Sequence, residues 1–223
     1  MVNLKTLIVN FKNYPGVLGD GSVRLALAME KVAGNLQVEM IAAPPPPFLA
    51  LVASKTKIQV YSQTVSSKAG DKTTGAILPE AAKGAGATGT ILNHSESKSA
   101  PSELQMVVPR LASMGMGVCL CAETSQEATA LAPLGPKYIA IEPPELIGSG
   151  VAVSKAKPEL VERTVAEVRK SGYRGQILCG AGIVSGEDVA KAVELGVDGV
   201  LVASSVVKAA DWETKVRELA SSL

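Results

Sequence analysis

Apolar residues in this chain come in short unbroken runs separated by longer amphipathic stretches. The runs are Leu4 to Phe11, Gln37 to Ala42, Ile58 to Gln63, Gly89 to Asn93, Gly117 to Cys121, Lys137 to Glu142, Gly175 to Cys179 and Gly199 to Ala203. A run with no polar alternation has no face to give to water, so each predicts a strand buried on both sides, as a parallel sheet requires. The stretches between carry helical spacing and helix-start residues. Ser22 is expected to cap a helix to Val32, Ser102 one to Met114, and Thr124 the helix Ser125 to Leu131. Proline at a first-turn position opens Pro79 to Gly84 and Pro158 to Lys170, and the proline run Pro44 to Pro47 leads into Phe48 to Ser54. Gly186 to Leu195 and Trp212 to Ala220 complete the set.

Eight strand signals thus alternate with eight helix signals in 223 residues, without a linker. That pattern predicts an α/β fold, a closed (β/α)₈ barrel in one domain over residues 1–223. The other architecture compatible with the alternation is a doubly wound sheet. It usually carries a glycine fingerprint after its first strand, and Asn10 to Asn13 has none.

Composition narrows the function. With 47% hydrophobic residues a large core is expected, and a net charge of +1 without a charge block argues against a nucleic-acid partner. No apolar run is long enough for a membrane span, and the first residues read as a strand rather than a leader, so a cytoplasmic location is expected. Cys119, Cys121 and Cys179 lie in strand runs without metal-binding or redox spacing, which predicts buried free thiols.

In a barrel of this kind the chemistry sits where strands end. Those ends hold Asn10 and Lys12, Gln63, His94 and Glu96, Glu142, Gly180 to Gly182, and Ala203 to Ser205. A carboxylate, the only histidine and a lysine from separate strands are a set for acid–base chemistry. The small residues after the last two strands expose backbone N–H groups suited to an anion. After Glu142 the chain reads Pro143-Pro144-Glu145-Leu146-Ile147-Gly148-Ser149-Gly150, a stiff segment between a proline joint and a glycine joint, the layout of a lid. Together these residues point to a small phosphorylated substrate, a carboxylate base, an imidazole partner and a fixed cation.

Asn10-Phe11-Lys12, Asn93-His94-Ser95-Glu96 and the run Ile141-Glu142-Pro143 through Ile147-Gly148-Ser149-Gly150 resemble triosephosphate isomerases over the whole chain, and the short helices resemble the archaeal branch. The resemblance implies an aldose–ketose isomerase that interconverts D-glyceraldehyde 3-phosphate and dihydroxyacetone phosphate through an enediolate, in glycolysis and gluconeogenesis. By the same resemblance Glu142 is the general base and His94 the neutral electrophile, with Lys12 the fixed charge on the developing oxyanion. Asn10 positions the carbonyl oxygen and Glu96 orders Lys12 and His94. Ile147, Gly148, Gly182, Ala203 and Ser204 bind the phosphate, with Asn10 and Lys12 also touching substrate. These roles in tuned acid–base catalysis are a standard worked case for that family. A helical turn from Ser95 to Ser99 is expected to help hold His94 neutral. Neither cofactor nor metal is implied.

The resemblance also implies a homo-oligomer. Ser66 to Gly75 matches the arm that reaches into a neighbouring subunit, which gives a dimer at least and a tetramer by analogy with archaeal relatives. The helix faces Leu104 to Met114 and Ser125 to Leu131 would supply the extra contact. Three places depart from the family pattern. Glu145 stands where a lid tryptophan is usual, Cys179 and Gly182 where a latching tyrosine and serine are usual, and Ala203-Ser204 where two glycines are common. A Schiff-base aldolase with Lys12 as nucleophile and a non-catalytic phosphosugar-binding barrel are the competing readings.

Overall fold

The computed structural model describes residues 4–143 and 156–223. Eight strands form the sheet: β1 (Lys5–Asn10), β2 (Val38–Ala43), β3 (Gln59–Ser62), β4 (Gly89–Leu92), β5 (Gly117–Ala122), β6 (Tyr138–Ile141), β7 (Gln176–Cys179) and β8 (Gly199–Val202). They pair in chain order, and β1 also pairs with β8, so the sheet closes into a barrel. Every pairing is parallel, from Lys5 opposite Val38 round to Thr6 opposite Gly199.

The helices outside the barrel are α1 (Asp20–Ala33), α2 (Leu49–Ala53), α3 (Pro79–Gly84), α4 (Pro101–Ser113), α5 (Ser125–Leu131), α6 (Pro158–Lys170), α7 (Gly186–Glu194), α8 (Ser204–Val207) and α9 (Trp212–Ala220). Thr124 caps α5 as expected, its hydroxyl accepting the Glu127 N–H at 3.1 Å. Ser22 and Ser102 do not cap. Gly19, with φ of 57°, precedes α1, and Ser22 lies buried inside the helix with its hydroxyl on the Val17 carbonyl. Pro101 opens α4 one residue before Ser102, because its fixed φ suits the first turn, and Glu103 reaches back to the Ala100 N–H at 3.0 Å. Short 3₁₀ turns at Pro15–Val17, Pro46–Phe48 and Ala132–Leu134, and α8 itself, were not legible as separate elements in the chain pattern.

Side chains alternate inward and outward along each strand, and this splits the core into two layers. Inward positions Ile8, Ile41, Tyr61, Ile91, Cys119, Tyr138, Leu178 and Leu201 are among those that fill the barrel, which is packed rather than hollow. Outward positions such as Leu7, Val9, Met40, Leu120, Ile139 and Val200 pack against the helices. The three cysteines are free and buried.

The floor of the barrel is polar. Glu39, on the inward row of β2, accepts hydrogen bonds from Tyr138 Oη at 2.6 Å, Lys137 Nζ at 2.7 Å, Thr6 Oγ1 at 3.1 Å and Gln59 Nε2. Burial alone would raise its carboxyl, but Lys137, Tyr138 and Gln59 outweigh burial and hold it below the ordinary range. No helix among the described residues is long and apolar enough to cross a membrane.

Candidate active site

At the opposite end of the barrel the strand ends converge on a cleft of about 60 Å³, lined by Asn10, Lys12, His94, Glu142, Gly182 and Ser204 among others. A wider groove of about 520 Å³ adjoins it and shares Asn10, Lys12 and His94 while adding Gln63 and Glu96. Each candidate in the described residues therefore lies at one mouth. Ile147, Gly148 and the rest of the segment 144–155, including the Glu145 departure, fall outside the described residues.

Glu142 follows β6 on its inward row. Its N–H donates to Ala122 O at 2.8 Å, and the Gly180 N–H donates to Ile141 O at 2.9 Å, so the sheet ladder runs past the base and fixes its backbone. The side chain is enclosed, at 2% exposure for the residue, and Oε2 has no hydrogen-bond partner among the described residues. A buried carboxylate with one oxygen left unpartnered is costly to ionise. Burial pushes the Glu142 carboxyl up to about 7, while the Cys121 thiol and, further off, Lys12 and Lys98 pull the other way. A carboxyl poised there can both take and return a proton near neutrality.

His94 Nε2 stands 3.7 Å from Glu142 Oε1. Its other nitrogen, Nδ1, accepts the Glu96 N–H at 3.1 Å. Only an unprotonated Nδ1 can accept, so the neutral ring carries its hydrogen on Nε2, facing the cleft. Burial, then the Lys12 charge, lowers the His94 pKa from its ordinary value, with Glu96 partly opposing. The expected helical turn after His94 is instead one tight turn closed by the Ser97 N–H on His94 O at 2.8 Å. Neutrality thus comes from burial, from Lys12 and from the Glu96 N–H on Nδ1 rather than from a helix end.

Lys12 has φ of 46°, unusual for a side-chain-bearing residue. Asn10 Oδ1 accepts the Lys12 N–H at 3.0 Å, and Gln63 Nε2 donates to Lys12 O at 3.1 Å and to Ala43 O at 3.0 Å. Those three bonds turn the ammonium into the cleft, where Nζ pairs with Glu96 Oε1 at 2.7 Å. The Glu96 side chain itself is 60% exposed. Its carboxylate orders Lys12 while its backbone orders His94.

The loops after β7 and β8 close the far wall. Gly182 has φ of 72°, and Ala203 precedes α8, whose first N–H groups the helix itself does not use. Tyr14, Ile183 and Val184 also line the cleft and were not singled out from the chain pattern. Their signal is weak, since an aromatic or aliphatic residue in a loop is more often packing than site. No group of three or more His, Cys, Asp or Glu side chains suited to a metal occurs among the described residues.

Comparison with known proteins gives the family. The family model described as triosephosphate isomerase matches residues 5–219. A protein of Caldivirga maquilingensis named triosephosphate isomerase is 43% identical over 222 residues, covering 100% of this chain and 99% of that protein. One of the same name from Pyrobaculum calidifontis is 45% identical over 222 residues, covering 100% and 97%. Another, from Methanothermus fervidus, is 42% identical over 217 residues, covering 97% and 98%. Barrel, strand-end residues and full-length similarity converge, and the chain belongs to the triosephosphate isomerase family.

Proposed function

We propose that Glu142, His94, Lys12 and Asn10 interconvert D-glyceraldehyde 3-phosphate and dihydroxyacetone phosphate by moving one proton between adjacent carbons. Glu142 removes the proton from the carbon next to the carbonyl. Its raised pKa makes it a stronger base than a solvated carboxylate, and enclosure spares it competition from water. The His94 Nε2–H donates to the substrate oxygen, and a neutral donor is better matched to an enediolate than an imidazolium. Lys12 stabilises the oxyanion as it forms, held in place by Asn10 and Glu96. The hydroxyl proton next to the deprotonated carbon passes by way of His94 Nε2 to the former carbonyl oxygen, and return of the proton from Glu142 to the former carbonyl carbon completes the turnover.

Gly182, Ala203 and Ser204 bind the phosphate through backbone N–H groups, joined by Ile147 and Gly148. The observation that carries this reading is the approach of His94 Nε2 to Glu142 Oε1 at 3.7 Å, with Lys12 on the same cleft. The Lys12 ammonium is engaged by Glu96, which suits a fixed charge and not an aldolase nucleophile. A coupled assay of triose phosphate interconversion tests the proposal. Glu142→Gln is expected to lower kcat by about 10²- to 10⁴-fold, and a variant within tenfold of the parent would remove Glu142 as base.

The protein is also proposed to work as a homo-oligomer in the cytoplasm, a dimer at least and a tetramer in its full assembly, serving glycolysis and gluconeogenesis. The groove beside Lys12 supports a partner's approach, as does the loop from Ser66, tied at its base by the Ser66 N–H on Ile77 O at 2.7 Å. Light scattering at assay concentrations measures the subunit count, and a monomer would overturn the arrangement.

A further inference from the structure

His94 lies just past the end of β4 and lines the cleft. The residue before it carries an unusual set of constraints. Asn93 and Lys12 are the only non-glycine residues with positive φ among the described residues, and Asn93 lies at 59°. Side chains rarely tolerate that conformation, although asparagine accepts it better than most. Asn93 is also buried, and its side chain is fully engaged. Nδ2 donates to Cys121 O at 2.8 Å, where β5 is ending, and to Glu127 Oε1 at 2.7 Å, on the first turn of α5. Oδ1 accepts the Ser99 N–H at 3.2 Å, at the far end of the loop that holds His94 and Glu96.

The anchor on α5 is itself fixed. Glu127 Oε2 accepts the Glu123 N–H at 2.8 Å, and Lys98 Nζ bridges Glu127 Oε1 at 3.1 Å and Glu123 Oε1 at 2.9 Å. One amide therefore ties the end of β4 to β5, to α5 and to the end of its own loop. The left-handed residue turns the chain out of the strand direction, so that the next residue, His94, enters the cleft.

We propose that Asn93 is the positioning residue for His94. Its amide, anchored on Glu127, staples the loop 93–99 so that Nε2 faces the reacting carbonyl and Nδ1 stays on the Glu96 N–H. The inference rests on the reading of His94 as the electrophile, and a control separates the two: if His94→Asn leaves turnover unchanged, it is that reading that fails.

The test uses Asn93→Gly, which keeps positive φ accessible and removes all three side-chain bonds. Misplacing a reacting group by about 1 Å costs on the order of 10²-fold. The expected result is a kcat lower by about ten- to a hundred-fold, with KM changed less than threefold. The chain has one histidine, so the imidazole ¹⁵N spectrum reports this ring alone. At neutral pH the parent should show the Nε2–H form and N93G a mixture of both tautomers. Glu127→Gln, which keeps an acceptor for Asn93 but loses the Lys98 charge, should give a smaller shift in the same direction, and it carries the test if N93G does not fold. N93G with kcat within twofold of the parent and an unchanged imidazole spectrum would overturn the proposal, as would a loss confined to KM.

Discussion

Gly180→Ala sets one added methyl group against the base. Gly180 continues the inward row of β7 beside Glu142. A Cβ built there would stand 2.5 Å from Glu142 Cγ and 3.1 Å from Cδ and Oε1. Carbon atoms in contact prefer about 3.5–4.0 Å, so relief requires a displacement of about 1 Å. The Gly180 backbone resists moving, because its N–H is bonded to Ile141 O at 2.9 Å. The Glu142 side chain gives way instead, and the carboxylate leaves its place beside His94. A misplacement of about 1 Å corresponds to about a 10²-fold loss in rate, or about 2.7 kcal/mol in the barrier. Steady-state kinetics in both directions measure it, with a thermal melt to confirm that the barrel is intact. A cycle with Glu142→Ala isolates the cause: once the base is gone, the added methyl should cost little further. G180A within threefold of the parent, or an equal loss on both backgrounds, would refute the steric account.

Further predictions follow from the same geometry. The acid limb of kcat/KM should fall near pH 7, because Glu142 must be ionised to act and its carboxyl is pushed up to about 7. Cys121→Ala removes a group that lowers that value, so the limb should move to higher pH; a downward move or none would count against the thiol's influence. The same burial has a stability signature. The Glu142 proton is held more tightly in the fold than in the unfolded chain, so stability falls as pH rises between the ordinary 4.5 and about 7, by as much as about 3 kcal/mol. Glu142→Gln should therefore be more stable than the parent to denaturant at pH 8 and lose that advantage at pH 4. Glu39 has the opposite sign. Its carboxyl is held low, so its contribution is complete above the ordinary carboxylate range and lost as pH falls through the folded value. Glu39→Gln should cost about 2 kcal/mol at neutral pH, by analogy with hydrogen bonds to charged groups, and the gap to the parent should close in acid. Lys12→Met should lower kcat/KM by about 10²- to 10³-fold, read in the same coupled assay.

The strands were legible because both faces are buried, which leaves unbroken apolar runs whose ends fall within a residue or two of Asn10, Asn93, Glu142 and Cys179. Proline-led helices were equally plain, and Pro79–Gly84 and Trp212–Ala220 match at both ends. Serine was a poorer guide. At Ser22 and Ser102 the start was decided by Gly19 and Pro101, whose backbone preferences outrank a hydroxyl's capping bond. The site's reactive groups were readable as strand-end polar residues. What aims them was not. Asn93 matters through partners at positions 99, 121 and 127, which the pairing of β4 with β5 and the docking of α5 bring together. Gly180 matters through a contact it avoids, and an avoided contact leaves no mark on a hydropathy pattern. The Glu39 cluster likewise draws on four separate strands or their leading residues.

Tyr138, Ala140 and Glu142 occupy successive inward places on one strand and its continuation, so the floor bond to Glu39 and the base at the mouth share a single phase. Pairing β6 one residue out of step would turn all three toward the helices at once. The lowest rung would lose its tie to Glu39 and the cleft its carboxylate in the same event. A misassembled chain is then catalytically silent rather than sluggish, and the return of turnover during refolding counts only molecules that have closed correctly.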